Sequence, residues 1–126
     1  MKNIFLALAC CFFFVPALMA EIDVFDGRKT VATAGTREAL VSTSTMYTNV
    51  DICALEGNTS EVVVGGSTVV ATEASRRGVP LYVVSGVPDC YTIRTNLGTL
   101  GDLKNLYADV KTNADGISFT YFVERR

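Results

Sequence analysis

The chain alternates short apolar, β-branched runs with glycine-containing turns over most of its length. At the centre of this pattern, residues 61–72 read EVVVGGSTVVAT, so that Gly65 and Gly66 join two valine-rich runs. Such a segment predicts a β-hairpin or a tight corner between strands. The cleanest alternation lies at residues 117–123, which predict a half-buried strand of an antiparallel sheet. The side chains expected to share its buried face are Ile117, Phe119, Tyr121 and Val123.

The rest of the pattern predicts further short strands separated by turns. These strands are expected at residues 29–33, 38–41, 48–55, 79–84, 91–94 and 105–111. Pro80 indicates an edge strand or the entry to a strand, because proline cannot donate to a central ladder. Residues 21–27 are expected to form an acidic lead that ends in an Asp26-Gly27 turn, and residues 96–104 offer room for a short helical turn. About eight strands therefore predict an all-β fold, a small antiparallel β-sandwich or jelly roll.

The N-terminal segment differs from everything after it. Residues 4–20 contain no charged side chain, follow Lys2, and end in Ala17-Leu18-Met19-Ala20. This composition predicts a secretory signal peptide cleaved before Glu21. A retained membrane anchor is disfavoured, because the apolar run is shorter than the ~20 residues that a bilayer requires. A mis-called start upstream of Met19 is the remaining alternative, so the predicted organisation is a leader at 1–20 and one β-sandwich domain at 21–126.

Composition narrows the classes of function. The 126 residues contain no His and no Trp, and the formal net charge is −2. Without His the chain lacks the usual general base and metal ligand, and the scattered charges form no basic stripe for nucleic-acid phosphates. We therefore expect no enzyme activity, no cofactor, no metal, no nucleic-acid partner and no stable membrane span.

Cysteine usage depends on whether the chain is exported. Cys10 and Cys11 belong to the apolar leader, whereas Cys53 and Cys90 fall in strand-like segments of the folded part. In an exported product these two cysteines can form one disulfide, and in a cytoplasmic product they would be small buried thiols.

Three short motifs invite a ligand-binding interpretation, and each has a simpler structural one. Residues 65–68, GGST, lack the lysine and helix of a phosphate-binding loop, which favours a turn. Residues 113–116, NADG, contain part of a calcium-loop pattern without its later carboxylates, which again favours a turn. Residues 58–60, NTS, fit the glycosylation sequon, which matters only in a eukaryotic secretory pathway.

Several segments together resemble small proteins encoded among the structural genes of tailed phages. They are residues 27–36 (GRKTVATAGT), 42–45 (STST), 65–71 (GGSTVVA), 77–78 (RG) and 106–119. The resemblance spans about residues 27–123. It implies a homo-oligomeric β-sandwich of the virion, a capsid decoration or head-fibre subunit that binds other protein subunits. Such proteins usually begin near the position of Glu21 and carry no leader.

A secreted or periplasmic binding module for a glycan or a cell-surface partner is the alternative function. Its contact platforms would be exposed tyrosines, although packing in the core or on a sheet face is the simpler role for most of them. For subunit contacts, loops with hydroxyl or guanidinium groups are expected, because such groups adapt to a neighbouring surface. The predicted contact residues are Arg76, Arg77, Ser42, Thr43, Ser44 and Thr45.

Overall fold

The structure, a computed structural model, describes residues 21–96 and 98–125, without the side chain of Arg125. The predicted leader at 1–20 lies outside these residues. Within the described part the chain is all-β, as predicted, with twelve strands, two 3-10 turns and no α-helix. More strands form than the eight expected because the strand predicted at 79–84 is divided into β6 and β7, and because β3, β8 and β10 are only two residues long, too short to leave an alternating pattern.

The strands and turns follow one another as follows. They are β1 (Glu21–Thr30), β2 (Glu38–Ala39), β3 (Met46–Tyr47), β4 (Asn49–Ala54), β5 (Val62–Gly65), a 3-10 turn (Glu73–Ser75), β6 (Val79–Leu81), β7 (Val83–Val84), β8 (Val87–Pro88), β9 (Cys90–Arg94), β10 (Gly101–Asp102), a 3-10 turn (Leu103–Asn105), β11 (Tyr107–Val110) and β12 (Gly116–Arg125).

Two four-stranded antiparallel sheets share one core. The first sheet has the order β1-β12-β4-β9 and the second the order β2-β11-β5-β6, while β3 pairs with β10 and β7 with β8. Both sheets contribute buried side chains to one cluster, so the architecture is a sandwich. The first sheet supplies Val50, Ile52, Ile117 and Phe119, and the second supplies Val62, Val64, Ala108 and Val110.

The alternation at 117–123 forms the central strand β12, as predicted. Ile117 and Phe119 are buried, and Tyr121 packs against the same core. The expected Asp26-Gly27 turn is wrong: both residues lie in the middle of β1, where Gly27 pairs with Phe119. A Cβ at Gly27 would lie only 2.3 Å from Cζ of Phe119. The glycine serves here to admit an aromatic ring over the strand, not to turn the chain.

Residues 61–72 form a corner and not a hairpin. β5 pairs with β11 and β6, and it does not pair with the second valine run. Instead the Val69 amide donates to the Gly66 carbonyl at 3.0 Å, closing a tight turn. Of the two alternatives expected for residues 61–72, the corner is confirmed and the hairpin is wrong, because β5 pairs with β11 and with β6, which begins only after residues 66–78.

Two local predictions agree with the structure. β6, which contains Pro80, is an edge strand of the second sheet. The short helical turn expected within 96–104 overlaps the end of that segment as a 3-10 turn at Leu103–Asn105, where the Asp102 carboxylate accepts a hydrogen bond from the Lys104 amide.

Candidate functional site

The predicted contact residue Arg76 is already bound within the molecule. Its Nη2 lies 2.7 and 2.8 Å from the two carboxylate oxygens of Glu61, whose side chain is 2% exposed. Burial acts to raise the pKa of Glu61, but hydrogen bonds from Tyr82, Lys111 and Arg76 outweigh it and hold the pKa below its usual value. Glu61 is therefore a buried carboxylate with charged partners, and Arg76 serves the fold.

Lys111 extends this ion-pair network. Its Nζ lies 2.9 Å from Glu61 and also pairs with the exposed Glu73. Hydrogen bonds to Glu73 and Glu61 raise the pKa of Lys111, and the bond from Lys111 lowers the pKa of Glu73. The network fixes the segment that contains Glu73 and Arg76 against the end of β11.

We call residues 66–78 the cover segment, because it lies over the outer face of the second sheet. Val69 and Ala71 form a small apolar cluster with Val63, and Tyr107 packs against it. The buried Asp109 accepts a hydrogen bond from the Ala71 amide at 2.8 Å. The cover segment is thus held by apolar contact and by a buried carboxylate.

Arg77 and the loop at 42–45 are placed differently from Arg76. The Arg77 backbone exchanges two hydrogen bonds with Val70, each 3.0 Å long, and the residue is exposed. In the loop, the Asp102 carboxylate accepts from Ser44 Oγ at 2.7 Å and from the Thr45 amide at 2.9 Å. The bonds from Ser44, Thr45 and Lys104 lower the pKa of Asp102.

The structure places the two predicted contact loops apart. Lys111, which pairs with the same carboxylate as Arg76, follows the last residue of β11. Leu103, whose amide donates to the Thr45 carbonyl, lies before the first residue of β11. The loops therefore lie at opposite ends of β11. Ser42, Thr43 and Ser44 are exposed and Thr45 is half-buried.

Cys53 and Cys90 face each other across β4 and β9. A disulfide joins their sulfur atoms, which are 2.00 Å apart. Val50, Ile52 and Ala54 point into the core. Because successive side chains of a strand point to opposite faces, Cys53 and the disulfide lie on the outer face of the first sheet. The bridge fastens β9, one edge of that sheet, to its neighbour.

The other motif residues hold turns together. The Asn58 side chain donates to the Gly116 carbonyl and accepts from the Gly116 amide, both at 2.8 Å. Asp115 accepts hydrogen bonds from the Thr59 and Ser60 amides. Within residues 21–96 and 98–125, no group of three or more acidic, histidine or cysteine side chains could hold a metal ion.

Strand β1 is the surface that the sequence analysis missed. It is an edge of the first sheet, paired with β12 on one side from Glu21↔Arg125 to Thr30↔Gly116. It also exposes large apolar side chains, including Ile22 (62% exposed) and Val24 (56%). The alternation of Ile22, Asp23 and Val24 was the available signal, and the Asp-Gly pair after it obscured the strand.

The hydrogen-bonding groups at the outer edge of β1 follow from its register. The Val31 amide donates to the Asp115 carbonyl at 3.0 Å, so residue 31 points towards the β12 side. Antiparallel strands alternate bonded and outward-facing residues. Odd-numbered residues of β1 therefore face β12, and Val24, Asp26 and Arg28 direct their backbone groups outwards.

Hydroxyl and carboxylate groups form a polar row across the outer face of the first sheet. Thr120 donates to Asp26 at 2.7 Å on one side. On the other, Thr92 donates to Asp51 at 2.5 Å. The four residues are register neighbours on β1, β12, β4 and β9, and no chain segment comparable to the cover segment packs on them within the described residues.

The comparisons with known proteins add no relative. No family model, no curated protein and no solved structure matches the chain. The similarity to tailed-phage structural proteins therefore stays a prediction. In the described part of the chain, no helix has the length and apolar character needed to span a membrane.

Proposed function

We propose that this chain is a non-enzymatic structural subunit that works by binding other protein subunits, as a capsid decoration or fibre subunit of a phage virion does. The observation that carries the proposal is the outer edge of β1, a ten-residue strand with apolar side chains exposed beside it. An edge of this length pairs readily with another strand, because its outward amides and carbonyls have no ladder partner among residues 21–96 and 98–125.

The loop contacts expected from the sequence are secondary in this proposal. Arg76 is bound to Glu61, and Ser44 is bound to Asp102. Arg77, Ser42 and Thr43 remain exposed and can supply polar contacts at the rim of an interface. The main contact is assigned to β1, because main-chain pairing along a strand provides a row of hydrogen bonds that a flexible loop does not.

A second candidate, an exported binding module, is favoured by the bridge between Cys53 and Cys90. Disulfides persist mainly in oxidising compartments, whereas most cytoplasmic thiols stay reduced. The polar row of Asp26, Thr120, Asp51 and Thr92 would then face a glycan, because carboxylate and hydroxyl oxygens are suitable partners for sugar hydroxyls.

The intact mass of the natural product, measured with and without reduction, separates the two candidates. A chain that starts at Met19 or Ala20 and co-sediments with purified phage particles would support the virion subunit. A chain that starts at Glu21, gains two hydrogens on reduction and is absent from the particles would contradict it. Retention of that second product on a glycan array would support the binding module.

A further inference from the structure

We propose that β1 pairs with β1 of a second copy of this chain, antiparallel and about a two-fold axis at Gly27. This inference rests on the proposed function, since it names the partner at the β1 edge. The strand has an acidic first half and a basic end: Glu21, Asp23 and Asp26 precede Arg28 and Lys29. An antiparallel arrangement places the acidic half of each copy beside the basic end of the other.

The geometry of the sheet limits the registers available. A two-fold axis perpendicular to the sheet keeps the core-facing side of both copies on the same side, so directly opposite residues have the same parity. The even-numbered residues, whose backbone groups point outwards, then bond to even-numbered residues of the second copy. In registers centred near the middle of β1, the two-fold axis passes through Phe25, Asp26 or Gly27.

Charge selects among the three registers. Centring on Asp26 puts two Asp26 carboxylates directly opposite each other, which is unfavourable. Centring on Phe25 puts Asp26 opposite Val24, which offers it no charge. Centring on Gly27 puts Asp26 opposite Arg28 of the second copy, and the two-fold axis repeats that pair. Of the three registers, only this one sets Arg28 directly opposite a carboxylate.

The two charged groups are available for this pairing. Among the described residues, Arg28 makes no ion pair or side-chain hydrogen bond. Lys29, the cation that would meet a carboxylate in the other two registers, already pairs with Glu38. Asp26 accepts the Thr120 hydroxyl through Oδ1, which leaves Oδ2 for a guanidinium.

The same register covers part of the exposed apolar surface. It sets the exposed Val24 opposite Thr30 of the second copy, and the two-fold axis repeats this contact at the other end of the paired strands. Apolar burial thus adds to the two ion pairs and to the main-chain hydrogen bonds.

Charge reversal provides a test that is specific to this register. In Asp26→Arg, two arginines face each other at both pairs, and in Arg28→Asp, two aspartates do. We expect the dimer dissociation constant of each variant to rise about tenfold or more, because like charges directly opposite across an interface are costly.

An equimolar mixture of the two variants should form a heterodimer. The arginine introduced in one chain then lies opposite the aspartate introduced in the other. At the second pair, the unchanged Arg28 of the first chain lies opposite the unchanged Asp26 of the second. Both opposite-charge pairs are therefore present in the heterodimer and in neither homodimer.

The measurement is sedimentation equilibrium on protein with the natural N-terminus and intact disulfide. Arg94→Asp, the same charge change at an exposed residue of β9, the opposite edge of the sheet from β1, is the matched control and should leave the dimer unchanged. Thermal unfolding of every variant checks that it folds. The combined variant Asp26→Arg/Arg28→Asp should recover the wild-type dissociation constant within about threefold, because both opposite-charge pairs are restored.

The outcomes separate this inference from the proposed function. A wild-type monomer at the highest soluble concentration, or single variants that dimerise as tightly as wild type, would overturn self-pairing through β1, while co-sedimentation with particles would still support the virion subunit. A heterodimer from the mixed variants would establish self-pairing even if the protein is absent from particles.

Discussion

The two sheets share one core but differ in what lies on their other faces. The outer face of the second sheet is closed by the cover segment, so Val63 is as buried as its core-facing neighbours Val62 and Val64. The outer face of the first sheet has no such cover among the described residues. Its edge strand β1 exposes Ile22 and Val24.

The difference shows how a surface strand becomes an interior one. Closing the second sheet requires apolar contact through Val69 and Ala71, and it also requires anchors for the polar backbone of the cover segment. Asp109 satisfies the Ala71 amide, and Glu61 holds Arg76. Buried polar groups need hydrogen-bond partners. Burying the two carboxylates has a desolvation cost, and the bonds that they accept fix the position of the cover segment on the sheet.

The largest effect is expected from removing the bridge that fastens β9 to the first sheet. The sequence separation of Cys53 and Cys90 is 37, and a loop of that size contributes about 3–4 kcal/mol in the chain-entropy account. Urea unfolding of Cys53→Ala/Cys90→Ala should show a loss of that order. Reduced wild type is the control and should unfold at a similar urea concentration; equal stability of oxidised wild type and the variant would show that the bridge does not stabilise the sheet.

The next largest effect is expected from Gly78→Ala, at the end of the cover segment. Gly78 has a φ of +116°, and a Cβ there would lie 2.6 Å from the Val64 carbonyl oxygen. Backbone strain and this clash predict a loss of about 2–3 kcal/mol in unfolding free energy. Gly66→Ala is the matched control, because a Cβ at Gly66 meets nothing within 4 Å, and a similar loss in both variants would argue against the clash.

Glu61→Gln tests the ionic anchor of the cover segment. The variant keeps the shape of the side chain but leaves Arg76 and Lys111 without their carboxylate, and we expect a loss of about 1–2 kcal/mol at neutral pH because both cations are partly solvated. The folded-state pKa of Glu61 lies below its usual 4.5, so its contribution is present above that value and disappears as pH falls through the folded pKa.

Unfolding measured from neutral to acidic pH checks the Glu61 prediction. The stability difference between wild type and Glu61→Gln should shrink as pH falls below 4.5. Glu73→Gln serves as the control, since Glu73 is an exposed member of the same network and should change stability little. A difference between wild type and Glu61→Gln that stays constant with pH would contradict the assigned role of the charge.

The smallest effect on folding is expected from Val24→Thr in β1. Val24 is exposed, so the unfolding free energy of the monomer should stay within about 0.5 kcal/mol of wild type. The matched substitution Val63→Thr buries a hydroxyl under the cover segment and should cost about 1–2 kcal/mol. Equal losses of unfolding free energy at Val24 and Val63 would contradict the difference between the exposed outer face of the first sheet and the covered outer face of the second.

The sequence predicts those elements whose signal is local. The alternation of Ile117 and Phe119 identified β12, and Pro80 identified an edge. β1 was missed because Asp26-Gly27 has local turn chemistry, and only the ring of Phe119 from the far end of the chain explains a glycine within a strand. For residues 61–72 the sequence left a hairpin and a corner as alternatives, and only the pairing of β5 with β11 and β6 decides for the corner.

The sequence likewise does not indicate which polar side chains hold the cover segment. The sequence around Glu61 does not indicate that its side chain is buried. Only the fold brings Arg76 and Lys111 to this carboxylate. Arg76 could be recognised as a loop residue, but its commitment to an intramolecular carboxylate depends on where the cover segment closes. Pairwise placement of distant side chains is the information that a local pattern does not carry.

Amide hydrogen exchange along β1 is the most direct test of the claim that its outer edge binds a second strand. At concentrations where the wild-type protein associates, the outward amides of Val24 and Asp26 should be protected, and in Arg28→Asp they should exchange rapidly. The inward amides of Phe25 and Gly27 should stay protected in both proteins. Rapid exchange at Val24 and Asp26 in the associated wild type would contradict the account.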